Sequence, residues 1–209
     1  MQTGRKYTGR LFTLEIVTAL VALLFLAPFY FVIGNSFKSI GEIVKDSASL
    51  PTAWRFVNFT RAWEILNFPA AFSNTFIVTA LGTIGLSLIT SMAAYRIIRF
   101  PTRFNKAVFA IFIAAMVIPF QSVMLPLVKV LGTVGIINTL PGLIICYFGL
   151  GTAFSTFLYS GFIKSLPREI EESAVVDGCS PYGVFWRIVF PLLKPMTVTT
   201  LLLNCMWLW

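Results

Sequence analysis

The chain has 209 residues, 57% of them apolar and only 11% charged, with a formal net charge of +8 and no His. An average soluble domain carries about 25% charged residues, so an ordinary soluble globular protein is excluded. The 16 Lys and Arg form no dense run of the kind that binds nucleic acid; they lie at the ends of apolar segments, where basic residues orient a membrane protein.

The first segment opens with Arg5, Lys6 and Arg10 and then has no charge from Ile16 to Phe37. That stretch is too long for the apolar core of a secretory signal, and no small-x-small cleavage site closes it. It reads as a span, Leu11 to Ile33, that stays attached. Glu15 sits about one turn inside it and reaches the headgroups. Three further charge-free gaps, Ile65 to Tyr95, Ala107 to Val128 and Val130 to Ile163, each exceed the roughly 20 residues that a helix needs to cross a bilayer core. They predict spans over Thr75 to Ala94, Ala107 to Val128 and Leu140 to Ile163. A fifth apolar segment runs from about Leu192 to Trp209. Gly and Pro inside these segments are ordinary for membrane helices packed on neighbours, so the prediction is an all-α membrane protein, a polytopic bundle of transmembrane helices.

Sidedness follows from the basic residues. The N-terminal segment, the connection with Arg96, Arg99, Arg103 and Lys106, and the connection with Lys164, Arg168, Arg187 and Lys194 hold 11 of the 16. They predict a cytoplasmic N-terminus, an extracytoplasmic loop over 34–74 and a cytoplasmic loop over 164–190, all in one transmembrane domain spanning 1–209. The outer loop, with Trp54, Phe56, Phe59, Trp63 and Phe68, is too aromatic for a linker; these rings either sit at headgroup depth or contact a partner. The three cysteines Cys146, Cys179 and Cys205 are far apart, which with the missing His leaves no close-spaced metal or redox pattern. No metal site and no cofactor are expected.

The inner loop is written like folded structure. Pro167 suits a first turn, Glu169, Glu171 and Glu172 suit a helix N-terminus, and Gly178 comes where the helix stops, predicting a helix over Pro167 to Asp177. Ser180-Pro181 then reads as an N-cap and a first-turn proline before the apolar Phe185, Trp186, Ile188, Val189 and Phe190. Small Ser173 and Ala174 suit such a loop to a groove on another protein; a mere connector is the alternative.

Glu172-Ser173-Ala174-Val175-Val176-Asp177-Gly178-Cys179, followed by Ile188 and Pro191, resembles the EAA loop of ABC-transporter permeases of binding-protein-dependent importers, with Ser173 and Cys179 replacing Ala. Phe72-Ser73-Asn74-Thr75, Ala93-Ala94-Tyr95-Arg96, Ile118-Pro119-Phe120-Gln121, Leu125-Pro126-Leu127 and Asn138-Thr139-Leu140 are similar to its carbohydrate-uptake, maltose-permease-like branch. The resemblance implies a bacterial cytoplasmic-membrane subunit that pairs with a second permease, binds an ATP-binding cassette ATPase dimer and receives solute from an extracytoplasmic solute-binding protein. It implies a coupling loop acting through Glu172, Ser173, Ala174, Asp177, Gly178, Ile188 and Pro191, with Glu172 and Asp177 holding the loop or pairing with basic groups. It also implies six spans, so a chain whose fifth stops at Trp209 reads as truncated. Gln121, between Pro119 and Pro126, is either a path contact or an interhelical hydrogen-bonding group, and Asn74 is a second candidate for the path. The chain lacks the phosphate-binding G-x-x-x-x-G-K-[ST] loop, so it is expected to be no enzyme and to draw energy from a partner. Ion-coupled secondary transport finds poor material, with only Glu15 near one membrane edge. An intramembrane enzyme would need a metal cluster or a nucleophile with its base.

Overall fold

A computed structural model describes residues 9–209, so Arg5 and Lys6 of the basic N-terminal segment lie outside the described residues. The elements are all helical: α1 Gly9–Ser36, α2 Ile40–Lys45, α3 Val57–Ile65, α4 Phe68–Arg99, α5 Arg103–Val117, α6 Phe120–Val134, α7 Leu140–Ser165, α8 Glu169–Val176, α9 Pro181–Leu192 and α10 Lys194–Leu208. Helices α1, α4 and α7 are each long and apolar enough to cross a membrane; if each of the bent pairs α5 with α6 and α9 with α10 is one span, there are five.

The third expected span is not one helix. The chain turns by 107° between α5 and α6. Pro119 has no N–H to continue the ladder and disfavours helical backbone at the residue before it; Ile118 accordingly takes an extended conformation, with φ −74° and ψ 118°. Pro126 stays inside α6. The last segment bends by 73° between α9 and α10, where Pro191 and Pro195 flank Leu193.

The chain forms two compact units, Met1–Pro69 and Ala70–Trp209. In the first, none of the residues of α1 is buried, which is tolerable for an apolar helix only in lipid, where its backbone groups satisfy one another. After α1 the expected outer loop folds on itself. The rings of Trp54, Phe56 and Phe59 surround Phe37 at centroid distances of 4.9, 5.4 and 5.2 Å. Lys38, only 2% exposed, donates from Nζ to the Asp46 and Ser47 carbonyls at 3.1 Å each, and Asn58 Nδ2 donates to the carbonyls of Ser36 and Lys38. Ser39 and Glu42 make a reciprocal capping box on α2. Donated hydrogen bonds from Thr52, then from the backbone and hydroxyl of Ser39, favour the ionised Glu42 carboxyl and hold its pKa down at about 2.

In the second unit α4, α7 and α10 meet along a seam of small and polar side chains. Thr79, Thr83, Ser87, Thr90 and Ser91 of α4 are buried with Ser155, Thr156 and Ser160 of α7 and Thr200 and Asn204 of α10. Such residues let membrane helices approach closely and bond across the gap. The Ser87 and Tyr159 hydroxyls are 2.6 Å apart, and Asn204 Nδ2 donates to Ser155 Oγ at 3.0 Å. At Gly151 a Cβ would stand 2.7 Å from Leu86 Cδ1, so glycine sets the α4 to α7 spacing there. Helix α5 packs on α7, and the short α4 to α5 turn is fixed by Asn105 Nδ2, which donates to the Phe100 carbonyl at 2.6 Å.

Candidate functional site

The loop between α7 and α10 is where sequence-predicted residues and built geometry coincide. Helix α7 stops at Leu166, whose extended backbone (φ −77°, ψ 130°) is what a following proline imposes. Helix α8 then starts at Glu169, two residues later than Pro167, with Glu169, Glu171 and Glu172 in its first turn, where carboxylates complement the helix dipole. It ends in a paired closure: Gly178 N–H donates to the Val175 carbonyl and Cys179 N–H to the Ala174 carbonyl, both at 3.0 Å. This motif requires a left-handed residue at the first position past the cap, and Gly178 has φ +87°. Ser180 caps α9, accepting from Gly183 N–H at 3.2 Å, and Pro181 follows. From Val184 to Val189 the helix widens to π-helical turns, and Val184, Phe185 and Val189 are buried.

One cluster joins this loop to the transmembrane helices. Ala174, Val184, Phe185 and Val189 pack with Ala94 of α4, Tyr159 and Ile163 of α7 and Leu193, and Ile188 and Cys179 close its rim. Beside it, Arg99 Nη2 lies 2.6 Å from Glu171 Oε1 and Arg99 Nε donates to the same oxygen at 2.7 Å. Tyr95 Oη donates to Glu171 Oε2 at 3.0 Å, and Arg99 Nη2 also donates to the Leu166 carbonyl at 3.0 Å. The Arg99 and Glu171 side chains are 7% and 12% exposed.

The sequence-predicted residues separate accordingly. Glu172, Ser173, Asp177, Gly178 and Pro191 are exposed, Ala174 is buried against the loop's own core, and Ile188 is half-buried. The carboxylate that pairs with a basic group is Glu171; Glu172 is exposed on the rim of the hollow that Tyr95, Arg99 and Glu171 line, and Asp177 is also exposed. Val176 and Tyr182, 86% and 74% exposed, join Glu172, Ser173 and Asp177 on the free surface. Asp177, Gly178, Ser180, Tyr182, Trp186 and Arg187 line a hollow of about 630 Å³ there. Sequence reasoning passed over the exposure of Val176 and Tyr182, and it did not bring Tyr95, Arg99 and Glu171 together. The available signal was Tyr95 and Arg99 one helical turn apart, at the α4 end nearest the acid-rich loop.

Asn74 and Gln121 do not share a cavity. Asn74 lines a hollow of about 440 Å³ with Ile136, Asn138, Gly142 and Cys146. Gln121 is exposed at the start of α6, beside a larger hollow of about 730 Å³ walled by Ile118, Phe120, Tyr147, Phe154 and Trp207.

Apolar helices of membrane-crossing length, a small-residue seam and a folded inter-helix loop define a multi-pass membrane protein. The chain belongs to the family described as the inner membrane component of binding-protein-dependent transport systems, the permeases of ABC importers, whose match covers residues 84–209 and so contains the loop. It is 38% identical over 205 residues to the "probable starch degradation products transport system permease protein AmyC" of Thermoanaerobacterium thermosulfurigenes, covering 98% of this chain and 74% of that one. It is 37% identical over 210 residues to the melibiose/raffinose/stachyose import permease MelC of Bacillus subtilis, covering 100% of this chain and 75% of MelC. The fold matches that of a bacterial ABC transporter involved in import of the acidic polysaccharide alginate, with TM-score 0.80 and 22% identity over 98% of this chain and 74% of that one.

Proposed function

We propose that this permease moves an oligosaccharide inward across the cytoplasmic membrane, with the loop carrying α8 and α9 as the element that docks on an ATP-binding cassette ATPase. The observation that carries the coupling part is the loop's construction: a helix closed by a left-handed glycine, seated through an apolar cluster on the inner ends of α4 and α7. A connector would need neither. The docking face is Glu172, Ser173, Val176, Asp177, Gly178 and Tyr182, while Ala174 lets α8 lie close to its own core. The carbohydrate part rests on the relatives, whose names assign them starch degradation products and the raffinose group of sugars. The remaining partners are a second permease subunit, the second copy of the ATPase, an extracytoplasmic solute-binding protein and membrane lipid. The N-terminus and the 164–190 loop are cytoplasmic, the 34–74 loop is extracytoplasmic, and α5 with α6 and α9 with α10 act as spans within one permease domain.

The test is reconstitution with the ATPase, second permease and binding protein from the same source. Labelled maltotriose or raffinose should enter vesicles in an ATP-dependent way, and an ATPase lacking its phosphate-binding lysine should abolish entry. ATP-independent entry driven by an ion gradient would refute the proposal.

A further inference from the structure

We propose that Arg99, Glu171 and Tyr95 are positioning residues for transport: they lock α8 to the ends of α4 and α7, so that these three helices move as one body when the loop is displaced. This rests on the reading of the loop as the ATPase dock.

The rest of the loop's attachment is apolar. Apolar contact is non-directional and roughly proportional to buried area, so helices seated only through it slide past one another, as in shear motions. A push on α8 would then be lost as slippage. The ion pair differs in kind. Arg99 is the last residue of α4, Tyr95 lies one turn before it, Glu171 is in the first turn of α8, and the Leu166 carbonyl belongs to the cap of α7. Both Glu171 oxygens are engaged, Oε1 by Arg99 Nε and Nη2 and Oε2 by Tyr95, and the same guanidinium holds the Leu166 carbonyl. A planar guanidinium used in two directions fixes angle as well as distance. Each charge also suits its place, a carboxylate at a helix N-terminus and a cation at two helix C-terminal ends.

Net stability is a poor reason for such a group, because a buried ion pair roughly breaks even against an apolar replacement of similar volume. Direction is what it supplies. Among the described residues it is the one ion pair of the second unit, and it sits where the loop meets the spans.

The experiment uses the assembled transporter in a background with the native cysteines replaced. Spin labels at Ala71→Cys, near the far end of α4, and at Glu169→Cys, exposed at the start of α8 and outside the docking face, report their separation at rest and after trapping with Mg·ATP and vanadate. With the tie intact the separation stays constant through the cycle. Arg99→Glu and Glu171→Arg, made singly, should still retain the ATPase on purification, while the separation shifts on trapping and uptake of labelled maltotriose or raffinose falls about tenfold or more, because each reversal sets two like charges against each other in a nearly buried site. Combining the two substitutions restores opposite charges but not the bond to the Leu166 carbonyl, the Tyr95 contact or the match to the helix ends, so it should recover part of the constancy and uptake lost by either alone; Tyr95→Phe, which keeps the ion pair, should cost only a few-fold. Singly altered transporters that keep a constant separation and native uptake overturn the proposal, and so does a combined variant no better than either alone. If the unaltered chain retains no ATPase, the docking reading itself fails and the tie falls with it, an outcome distinct from loss of rigidity in a complex that forms.

Discussion

Replacing Gly178 tests the loop at the single backbone position on which its shape turns. Its φ of +87° lies in the left-handed region, and a Cβ built there meets nothing within 4 Å. Substitution therefore carries no steric clash with neighbours, and the whole penalty is conformational. For an ordinary side chain that penalty is about 1–2 kcal/mol, rising to about 3 kcal/mol where the backbone is strongly disfavoured. A cost of about 1–3 kcal/mol lowers the population of the closed turn about 5- to 150-fold. Asn, whose short polar side chain tolerates this region, should cost far less. When the turn opens, the Gly178 and Cys179 amides leave the Val175 and Ala174 carbonyls, and α9 no longer starts in its place beside α8. The expected order of ATPase retention on the tagged permease, and of solute uptake, is wild type, then Gly178→Asn, Gly178→Ala and Gly178→Val, with all four inserted in the membrane at equal levels. Full retention by Gly178→Val would show that the turn's geometry is not what the partner reads. An Asn variant as poor as Val would shift the cause from backbone to side-chain bulk.

A membrane-impermeant maleimide should label Val176→Cys, in a background lacking the native cysteines, in inside-out vesicles and not in intact cells; labelling from outside reverses the orientation. The purified chain alone should release no phosphate from ATP, and hydrolysis stimulated by the binding protein should appear on adding the ATPase and second permease. Tyr159→Phe should leave the buried Ser87 hydroxyl without its 2.6 Å partner at a cost of about 1–3 kcal/mol, read as a lower thermal midpoint in detergent. Because the Glu42 pKa is depressed, its contribution is complete above the ordinary value of 4.5 and is lost as the pH falls toward about 2. Protection of the α2 amides, referenced to Glu42→Gln, should therefore decline over that window, and a constant difference would refute the cap's role.

The transmembrane helices were legible because charge is so costly in a bilayer that its absence delimits them: α7 begins at Leu140 as expected and ends at Ser165, two residues past Ile163. The same rule was blind to the break at Ile118, since a charge count weighs composition and the break is a backbone matter of Pro119. The loop was legible as helix, glycine turn and helix, because caps and closures are local chemistry. Which carboxylate faces inward was not legible. Glu171 and Glu172 are adjacent and chemically alike, and only the rotation of α8 set by packing Ala174 on the core decides between them. The ring cluster on Phe37 escaped for a similar reason, as partners 17 to 22 residues away are chosen by the path of the loop.

The right-angled turn after α5 also sets terms for the lipid around it. Helices α5 and α6 have 15 residues each, or about 22 Å at about 1.5 Å per residue, and neither alone bridges a hydrocarbon core of about 30 Å. At 107° to each other, the two cannot both run along the bilayer normal, and wherever the break meets hydrocarbon, the last carbonyls of one helix and the first amides of the other that stay open find no partner in it. Relief has to come from protein or trapped water. The turn is thus a place that bare lipid would solvate poorly, and a cheap one only where protein or water lies beside it.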